Sequence, residues 1–440
     1  MRMKIGIIGG GITGLTLGCE LAKRGFEITI FEKEPELGGL AGCFKIGDTY
    51  IEKYYHHLFR SDTDIIELIN ELNLTDRLVF SESKMGFFQN GKIYSFGTML
   101  DLMKFSPLTL IDRIKFGLDV LKFRRKNQWE DLEEITIKDW THRRGADNIY
   151  NVIWRPLLKS KFGSEYENIA ASWLWGRIHP RAKSRKMGKE KLGYIIGGNK
   201  VLFDYMKKFI EDNNGAVKTS AKIIKINSKG NKLHIYETQD KSAGSMADKY
   251  YEFDYVFSTV STIEFAEMTS DLPREFASLL NSVKYQGVIC VVLVLNRALS
   301  NIYWMNIIDP DITFGLVVEH TNFITKQHYG NNHIVYLASY LNQQNSMFQF
   351  SKMEIIDTYI DSLLKIFPEF KTDWVNDILI FKDFYATPIY SLNYSKVKLD
   401  FKTPVKNLFI VNTSQIYPED RNMNNCMRLA KTALKKLEFL

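Results

Sequence analysis

The run KIGIIGGGITG, residues 4 to 14, constrains this chain more than any other stretch. Lys4 to Ile8 read as a short buried strand, and Gly9, Gly11 and Gly14 follow at once with the spacing GxGxxG. LTLGCELAKRG then carries apolar residues at Leu15, Leu17, Leu21 and Ala22, a pattern compatible with a helix closed by Gly25. FEITIFEKE reads as a second strand with Glu32 near its end. In this βαβ order each glycine has a physical task. Gly9 permits the tight turn, Gly11 lets the backbone approach a pyrophosphate, and Gly14 lets helix and strand pack closely, while the helix N-terminus offers free N–H groups and a positive dipole end. Glu32 is placed to accept hydrogen bonds from a ribose diol. The expectation is an α/β chain that binds a dinucleotide.

Length and charge narrow the rest. At 440 residues, 45% apolar and 25% charged, the chain is long enough for two or three domains with a sizeable core. Lys and Arg number 58 against 51 Asp and Glu, a net charge of +7 that favours a small anionic partner by steering. No basic stripe with interleaved aromatics occurs, so no nucleic acid is expected. Cys19, Cys43, Cys290 and Cys426 form no CxxC pair, which argues against a disulfide framework or metal site and for a reducing cytoplasm. The start superficially resembles a lipoprotein signal ending at Cys19, but three consecutive glycines interrupt its apolar core. No window reaches the roughly 18 uninterrupted apolar residues of a spanning helix. Neither GxSxG nor HExxH occurs, and no metal is expected.

A second glycine pair decides which dinucleotide to expect. EKEPELGGLAG places Gly38 and Gly39 shortly after Glu32, and this resembles the FAD-dependent amine oxidase and protoporphyrinogen oxidase superfamily, which also holds the phytoene desaturases. The resemblance implies that Glu32 binds the adenosine ribose of FAD with Lys33 beside it, and that the Gly38-Gly39-Leu40-Ala41 turn runs along the diphosphate and ribityl chain. GYIIGGNKVLFDYMKKFIEDNNGAVKTSAKIIKI, residues 193 to 226, resembles the superfamily's returning block, with the backbone of Ile223 laid against adenine. FDYVFSTVS, 253 to 261, resembles the strand and turn that close that half. The C-terminal block departs from the pattern: the strand NLFIV, 407 to 411, leads to Asn412-Thr413 where most members have Gly-Asp. The cofactor role is therefore carried by the following loop, with Tyr417, Asp420, Arg421 and Asn424, at the start of a terminal helix marked by Met427, Ala430 and Leu434. The implied fold is a Rossmann-like FAD-binding domain of the glutathione-reductase/amine-oxidase type over 1–90, 191–282 and 385–440, with an inserted α+β substrate domain over 91–190 and 283–384.

YYHHLFRSD, residues 54 to 62, is similar to a segment of UDP-galactopyranose mutase. On that resemblance His57 matches a flavin-side histidine, Phe59 an aromatic and Asp62 the acid before a helix, while His56 replaces a proline and Arg60 a second histidine. An imidazole near its ordinary pKa of about 6.5 can hold or release a proton at neutral pH. In an extended segment the two rings point to opposite faces, one toward flavin and one toward anchor or substrate; both packing among Tyr54, Tyr55 and Phe59 is the competing reading. The resemblance implies an FAD-dependent oxidoreductase passing a hydride from substrate to flavin N5, with His57, His56 and Arg421 catalytic. The alternative is a mutase-like isomerase of a nucleotide sugar without net redox, in which Arg421 and Tyr417 stand in for the mutase's arginine and tyrosine.

In the substrate half, WRPLLKSKFG and SWLWGRIHPRAKSR supply Arg155, Lys159, Lys161, Arg177, His179, Arg181 and Arg185 among Trp154, Trp173 and Trp175. Arginines interleaved with tryptophans can clamp a phosphate while a ring stacks on sugar or base; a solvated basic surface over a tryptophan core is the bland counterpart. Tyr303 and Tyr385 add polar aromatics suited to a cavity wall. In PLTLIDRIKFGLDVLKFRRK, Ile111, Ile114, Leu118 and Leu121 share one helical face with basic residues beside them. That face is expected to pack on its own domain; a peripheral membrane contact is the alternative. Nothing in the sequence sets an oligomeric state.

Overall fold

The computed structural model describes residues 2–184, 190–238 and 249–439. Its first strand, Lys4–Ile8, is the middle of a five-stranded parallel sheet ordered Leu408–Ile410, Tyr255–Ser258, Lys4–Ile8, Glu27–Phe31, Ala216–Lys218. Parallel strands need crossovers, and the helices Ile12–Ala22 and Lys200–Asp212 provide two of them. Both bury a continuous apolar stripe, Leu15 and Leu21 with Leu202, Met206 and Ile210, in one core with the terminal helix Met423–Lys436. That helix buries Met427, Ala430 and Leu434, as its periodicity predicts. A three-stranded antiparallel sheet, Ile223–Lys229, Lys232–Glu237 and Lys249–Phe253, lies so close on the first strand that a Cβ on Gly6 would come 2.9 Å from Ile235 and Phe253. The fold is mixed α/β with a Rossmann-like parallel sheet.

The second large unit is a seven-stranded mixed sheet whose longest fully buried strand is Tyr285–Leu295, paired between Val375–Pro388 and His333–Asn342. Such an unbroken apolar run marks a strand covered on both faces. One face is closed by the helix Lys352–Ile366 through Ile355, Tyr359 and Leu363, and the other by Ile51, Tyr194 and Tyr303. Strand membership crosses the expected boundaries. Met85–Gln89 falls within residues 1–90 yet pairs in parallel with Trp304–Ile307, and Val375–Pro388 runs past 384 as a neighbour of Tyr285–Leu295. The chain between these sheets, residues 99–184, is largely helical. A five-residue π turn, Tyr150–Trp154, leads directly into the helix Arg155–Phe162.

The helix Leu110–Arg125 reverses the expected orientation. Its buried residues are Asp112, Phe116, Gly117, Asp119 and Phe123, whereas Ile111, Ile114, Leu118 and Leu121 face solvent at 67%, 52%, 57% and 46% exposure. The two aspartates find partners inside: Asn148 Nδ2 donates to Asp112 at 2.7 Å, and Arg144 pairs with Asp119. Periodicity defined the face correctly, and inward hydrogen bonding decided its direction.

Glu52 closes the hairpin strand Thr49–Glu52 and is 1% exposed. Tyr194 donates to its Oε2 at 2.9 Å and the Asn199 N–H to its Oε1 at 2.8 Å. Burial lifts its pKa to about 7 against those bonds. A carboxyl whose folded pKa lies above its unfolded value stabilises the fold fully below the unfolded value, and that contribution is lost as pH rises through the folded one. Between pH 5 and 8 the group's contribution should fall by roughly 2–3 kcal/mol. Glu52→Gln is expected to flatten the pH dependence in that window, as read by denaturant unfolding at both pH values; an unchanged slope would remove Glu52 from the account.

Candidate functional site

The glycine cradle is shaped by contacts that leave no room for side chains where packing is needed and leave space where a ligand would lie. A Cβ on Gly14 would collide with the Gly9 carbonyl oxygen, and Gly9 and Gly38 hold φ of +107° and +115°, a region that disfavours L side chains. A Cβ on Gly11 would meet nothing nearer than the Gly38 oxygen at 3.8 Å. The Gly38 N–H donates to the Gly10 oxygen at 3.0 Å, which ties the second glycine turn, Gly39–Ala41, to the first. Gly11 gives the helix Ile12–Ala22 no side-chain cap, so its first N–H groups are available to an anion.

Glu32 lies at the sheet end, 6% exposed, and accepts from the Gly10 N–H at 2.7 Å and the Glu34 N–H at 2.9 Å. Burial raises its pKa, and the two N–H groups oppose that rise. The Ala221 N–H donates to the Glu32 carbonyl at 2.8 Å, which brings Ile223 to the same end of the cradle. Open space at Gly11, uncapped N–H groups and an acid at the second strand's end fit a dinucleotide diphosphate and its ribose. Lys33, by contrast, pairs with Glu264 at 2.8 Å.

Beyond the glycine turns a cationic cluster assembles from three segments. Lys161 comes from Arg155–Phe162, Arg177 and Arg181 lie one turn apart on the helix Ser172–Ser184, and Arg421 precedes the terminal helix. Asp420 is their counter-charge, with Arg177 Nη1 2.7 Å from its Oδ2. Burial would raise the Asp420 carboxyl, but Arg177, Lys161, Arg421 and Arg181 outweigh it and hold the group well below the usual carboxylate range. Burial, then Arg177, pushes the Lys161 amine well below the ordinary lysine value. Aromatic rings wall the cluster: Lys161 Nζ lies 5.1 Å from the Tyr340 ring centre, the Arg177 guanidinium 5.0 Å from Trp173, and the Arg181 guanidinium 5.6 Å from Phe59 and 5.9 Å from Trp304. The Arg421 Nε is buried with no acceptor among the described residues. A cavity here is lined by Phe162, Trp173, Arg177, Pro388, Tyr390 and Arg421.

The two histidines diverge. His57 Nδ1 shares a 3.2 Å hydrogen bond with the Tyr303 hydroxyl, and its ring stands edge-on to Phe59 and Trp304. His56 Nδ1 donates to the Tyr54 carbonyl at 2.6 Å. Neither is poised near neutrality, contrary to the argument from the free imidazole. Burial, followed by Arg181 and His56, lowers His57 to about 3, and burial lowers His56 to about 4. Both rings are neutral hydrogen-bonding groups at physiological pH.

The other residues singled out in the sequence are scattered. Tyr417 bonds Ser172 Oγ at 2.7 Å and packs among Trp129, Tyr390 and Tyr394. Asn424 is buried and accepts from the Ile65 N–H at 3.1 Å. Arg155 is exposed at the start of its helix, and Tyr385 stacks edge-on to Tyr285 with Glu267, Glu264 and Lys33 as charged neighbours. His179 is buried and bonds the Phe123 carbonyl at 2.9 Å. Arg185 lies outside the described residues. The Asn412 position, where Gly-Asp is usual, is self-contained: its side chain accepts from Ser414 and donates to the Val260 carbonyl. Trp304, in the stretch YWMNIID expected to line a cavity, does wall the cluster, whereas sequence reasoning missed Tyr340 as a wall and Asp420 as counter-ion, because nothing local marks a residue that meets its partners only through the fold. Among the described residues no cluster could hold a metal ion and no helix is long and apolar enough to cross a membrane.

The site thus combines a glycine-lined dinucleotide cradle with a half-buried, aromatic-walled charge cluster. The chain belongs to the flavin-containing amine oxidoreductase family, whose model matches residues 12–418, and its cofactor is FAD. It is similar to 15-cis-phytoene desaturase of Synechococcus elongatus, 28% identical over 166 residues that make up 34% of this chain and 35% of that protein. That match spans about a third of the relative's length. Among solved structures, a protein of Exiguobacterium sp. 255-15 provisionally assigned as a protoporphyrinogen oxidase superposes with a TM-score of 0.76 at 14% identity, covering 100% of this chain and 99% of that one. Reduced UDP-galactopyranose mutase superposes with a TM-score of 0.75 at 12% identity, covering 100% and 96%. These two share the fold.

Proposed function

We propose that the chain oxidises a small anionic substrate, a nucleotide sugar or another phosphate-bearing intermediate of glycan synthesis, by hydride transfer to FAD. The observation that carries this reading is the convergence of Lys161, Arg177, Arg181 and Arg421 on a site with Asp420 as counter-charge. FAD held in the cradle supplies a two-electron acceptor at its N5. The chain's own groups do the rest. Arg421 Nε, buried and without an acceptor among the described residues, donates to a substrate anion, and Arg181 adds a second planar donor set. Trp173, Trp304 and Tyr340 exclude water and offer faces to a sugar or base. Lys161, its amine held well below the usual lysine range, accepts the hydroxyl proton as the carbinol C–H hydride leaves and a carbonyl forms. His57 and His56 stay neutral and orient the segment beside Tyr303. Four unpaired buried cysteines support a reducing compartment such as the cytoplasm.

The test is anaerobic mixing of the yellow holoprotein with UDP-hexoses, sugar phosphates and neutral amines. Phosphorylated donors should bleach the flavin, and Arg421→Gln should raise KM about 10- to 100-fold with a smaller change in kcat, the loss of one charge-assisted hydrogen bond. Equal bleaching by neutral amines would remove the anionic reading. A redox-neutral rearrangement of the nucleotide sugar is the second reading, favoured by His57 and Phe59 of the mutase-like segment lying beside Arg181. It predicts an isomerised sugar while the flavin stays reduced throughout.

A further inference from the structure

We infer that the face formed by the helices Met99–Lys104 and Leu110–Arg125 docks onto the surface of an anionic phospholipid membrane. Leu110, Ile111, Ile114, Leu118 and Leu121 are 46–67% exposed. At about 100° per residue they fall within an arc roughly 100° wide, a continuous stripe along about three turns. The preceding helix extends it, with Met99 and Leu100 at 65% and 72% exposure and Met103 at 39%. The two helices are contiguous there, since a Cβ on Gly117 would lie 3.5 Å from Met99 Cε and 3.8 Å from Leu102 Cδ2. Scattered single apolar side chains on a surface need no explanation, but a joined stripe of this extent does.

Charge identifies the occupant. The three acids of residues 98–126 are all engaged within the protein: Asp101 caps Thr98, Asp112 bonds Thr109 and Asn148, and Asp119 pairs with Arg144. Lys104, Lys122, Arg124 and Arg125 are exposed and make no ion pair among the described residues. The outward face is therefore apolar and purely basic at once, with long cationic stems able to reach headgroups while the stripe enters the acyl boundary. A second copy of the chain would have to bring its own basic rim against this one, an arrangement that like charges oppose. The same helix is tied to the charge cluster from behind: Trp175 Nε1 donates to the Lys126 carbonyl at 2.7 Å and His179 Nδ1 to Phe123 at 2.9 Å, both from the helix that carries Arg177 and Arg181. Docking thus sets the cluster's helix close behind the lipid surface, so that an anionic substrate carried in the membrane would have a short route to it.

Co-sedimentation of the full-length holoprotein with phosphatidylglycerol-containing vesicles and with pure phosphatidylcholine vesicles tests the inference. The expected result is binding to the anionic vesicles that weakens with salt and falls at least about tenfold in Ile111→Ser/Leu118→Ser and in Lys122→Gln/Arg124→Gln/Arg125→Gln. These positions are exposed, so both variants should keep the wild-type flavin spectrum and Tm. Absence of vesicle binding by the wild-type protein, or equal binding by the variants, overturns it. So does a lipid-free dimer that Ile111→Ser/Leu118→Ser converts to monomer, which would assign the face to a second copy.

Discussion

Gly14→Ala is expected to give a nearly colourless protein that unfolds at lower temperature. The added Cβ would occupy the position of the Gly9 carbonyl oxygen, and Gly9 cannot retreat easily, since a Cβ built on it would itself collide with Thr259 Oγ1. A backbone obstacle of this kind costs about 1–3 kcal/mol through displaced packing. It also turns the first N–H groups of Ile12–Ala22 away from the pyrophosphate, and about 3 kcal/mol lost there is a factor of roughly a hundred in FAD affinity. Gly11→Ala separates the two effects. Its Cβ would enter the open space facing Gly38, so stability of the apoprotein should hold while the flavin is lost. The readings are visible absorbance of the purified protein and Tm with and without added FAD. Retention of stoichiometric FAD by Gly14→Ala would place the cofactor elsewhere.

Asp420→Asn is the second large effect. The guanidiniums of Arg177, Arg421 and Arg181 surround this carboxyl together with Lys161, and removing its charge leaves the three guanidiniums facing one another. A fully buried pair broken in this way loses about 3–5 kcal/mol, but the Asp420 side chain retains 40% exposure, which reduces the expectation to roughly 1–3 kcal/mol. A carboxyl with a depressed folded pKa stabilises the fold above its unfolded value and loses that contribution as pH falls through the folded one. The wild-type protein should therefore approach the variant's stability only in strong acid. Inorganic pyrophosphate, added to both, should protect Asp420→Asn more than wild type, because the anion replaces the missing charge. Equal protection, measured as the rise in Tm, would show that the cluster is not an anion site.

The cradle was legible because its turns admit only glycine, and that demand is local. Gly14 meets the Gly9 carbonyl within the same loop, and Gly9 and Gly38 are held at positive φ by the turns themselves, so spacing alone points to them. The charge cluster was half legible: Arg177 and Arg181 could be paired by helical spacing, but Lys161, Tyr340 and Asp420 reach them only once separate segments pack. The Leu110–Arg125 helix shows a different gap. Its stripe was visible as a period, yet a period has no sign, and the inward bonds of Asp112 and Asp119 supplied it. For the histidines composition misled, since burial removed the titration near pH 7 that makes an isolated imidazole useful.

The π turn at Tyr150–Trp154 holds one residue more than an α-helical turn over the same rise. Everything after it is consequently advanced by about 100° around the helix axis. Excision of a single residue from this turn would swing Lys161 off the Tyr340 face and carry the buried Leu158 and Phe162 toward solvent. One inserted amino acid thus acts as a phase setting for the helix that follows it. It fixes where an amine meets a pocket without any change in the residues that line it.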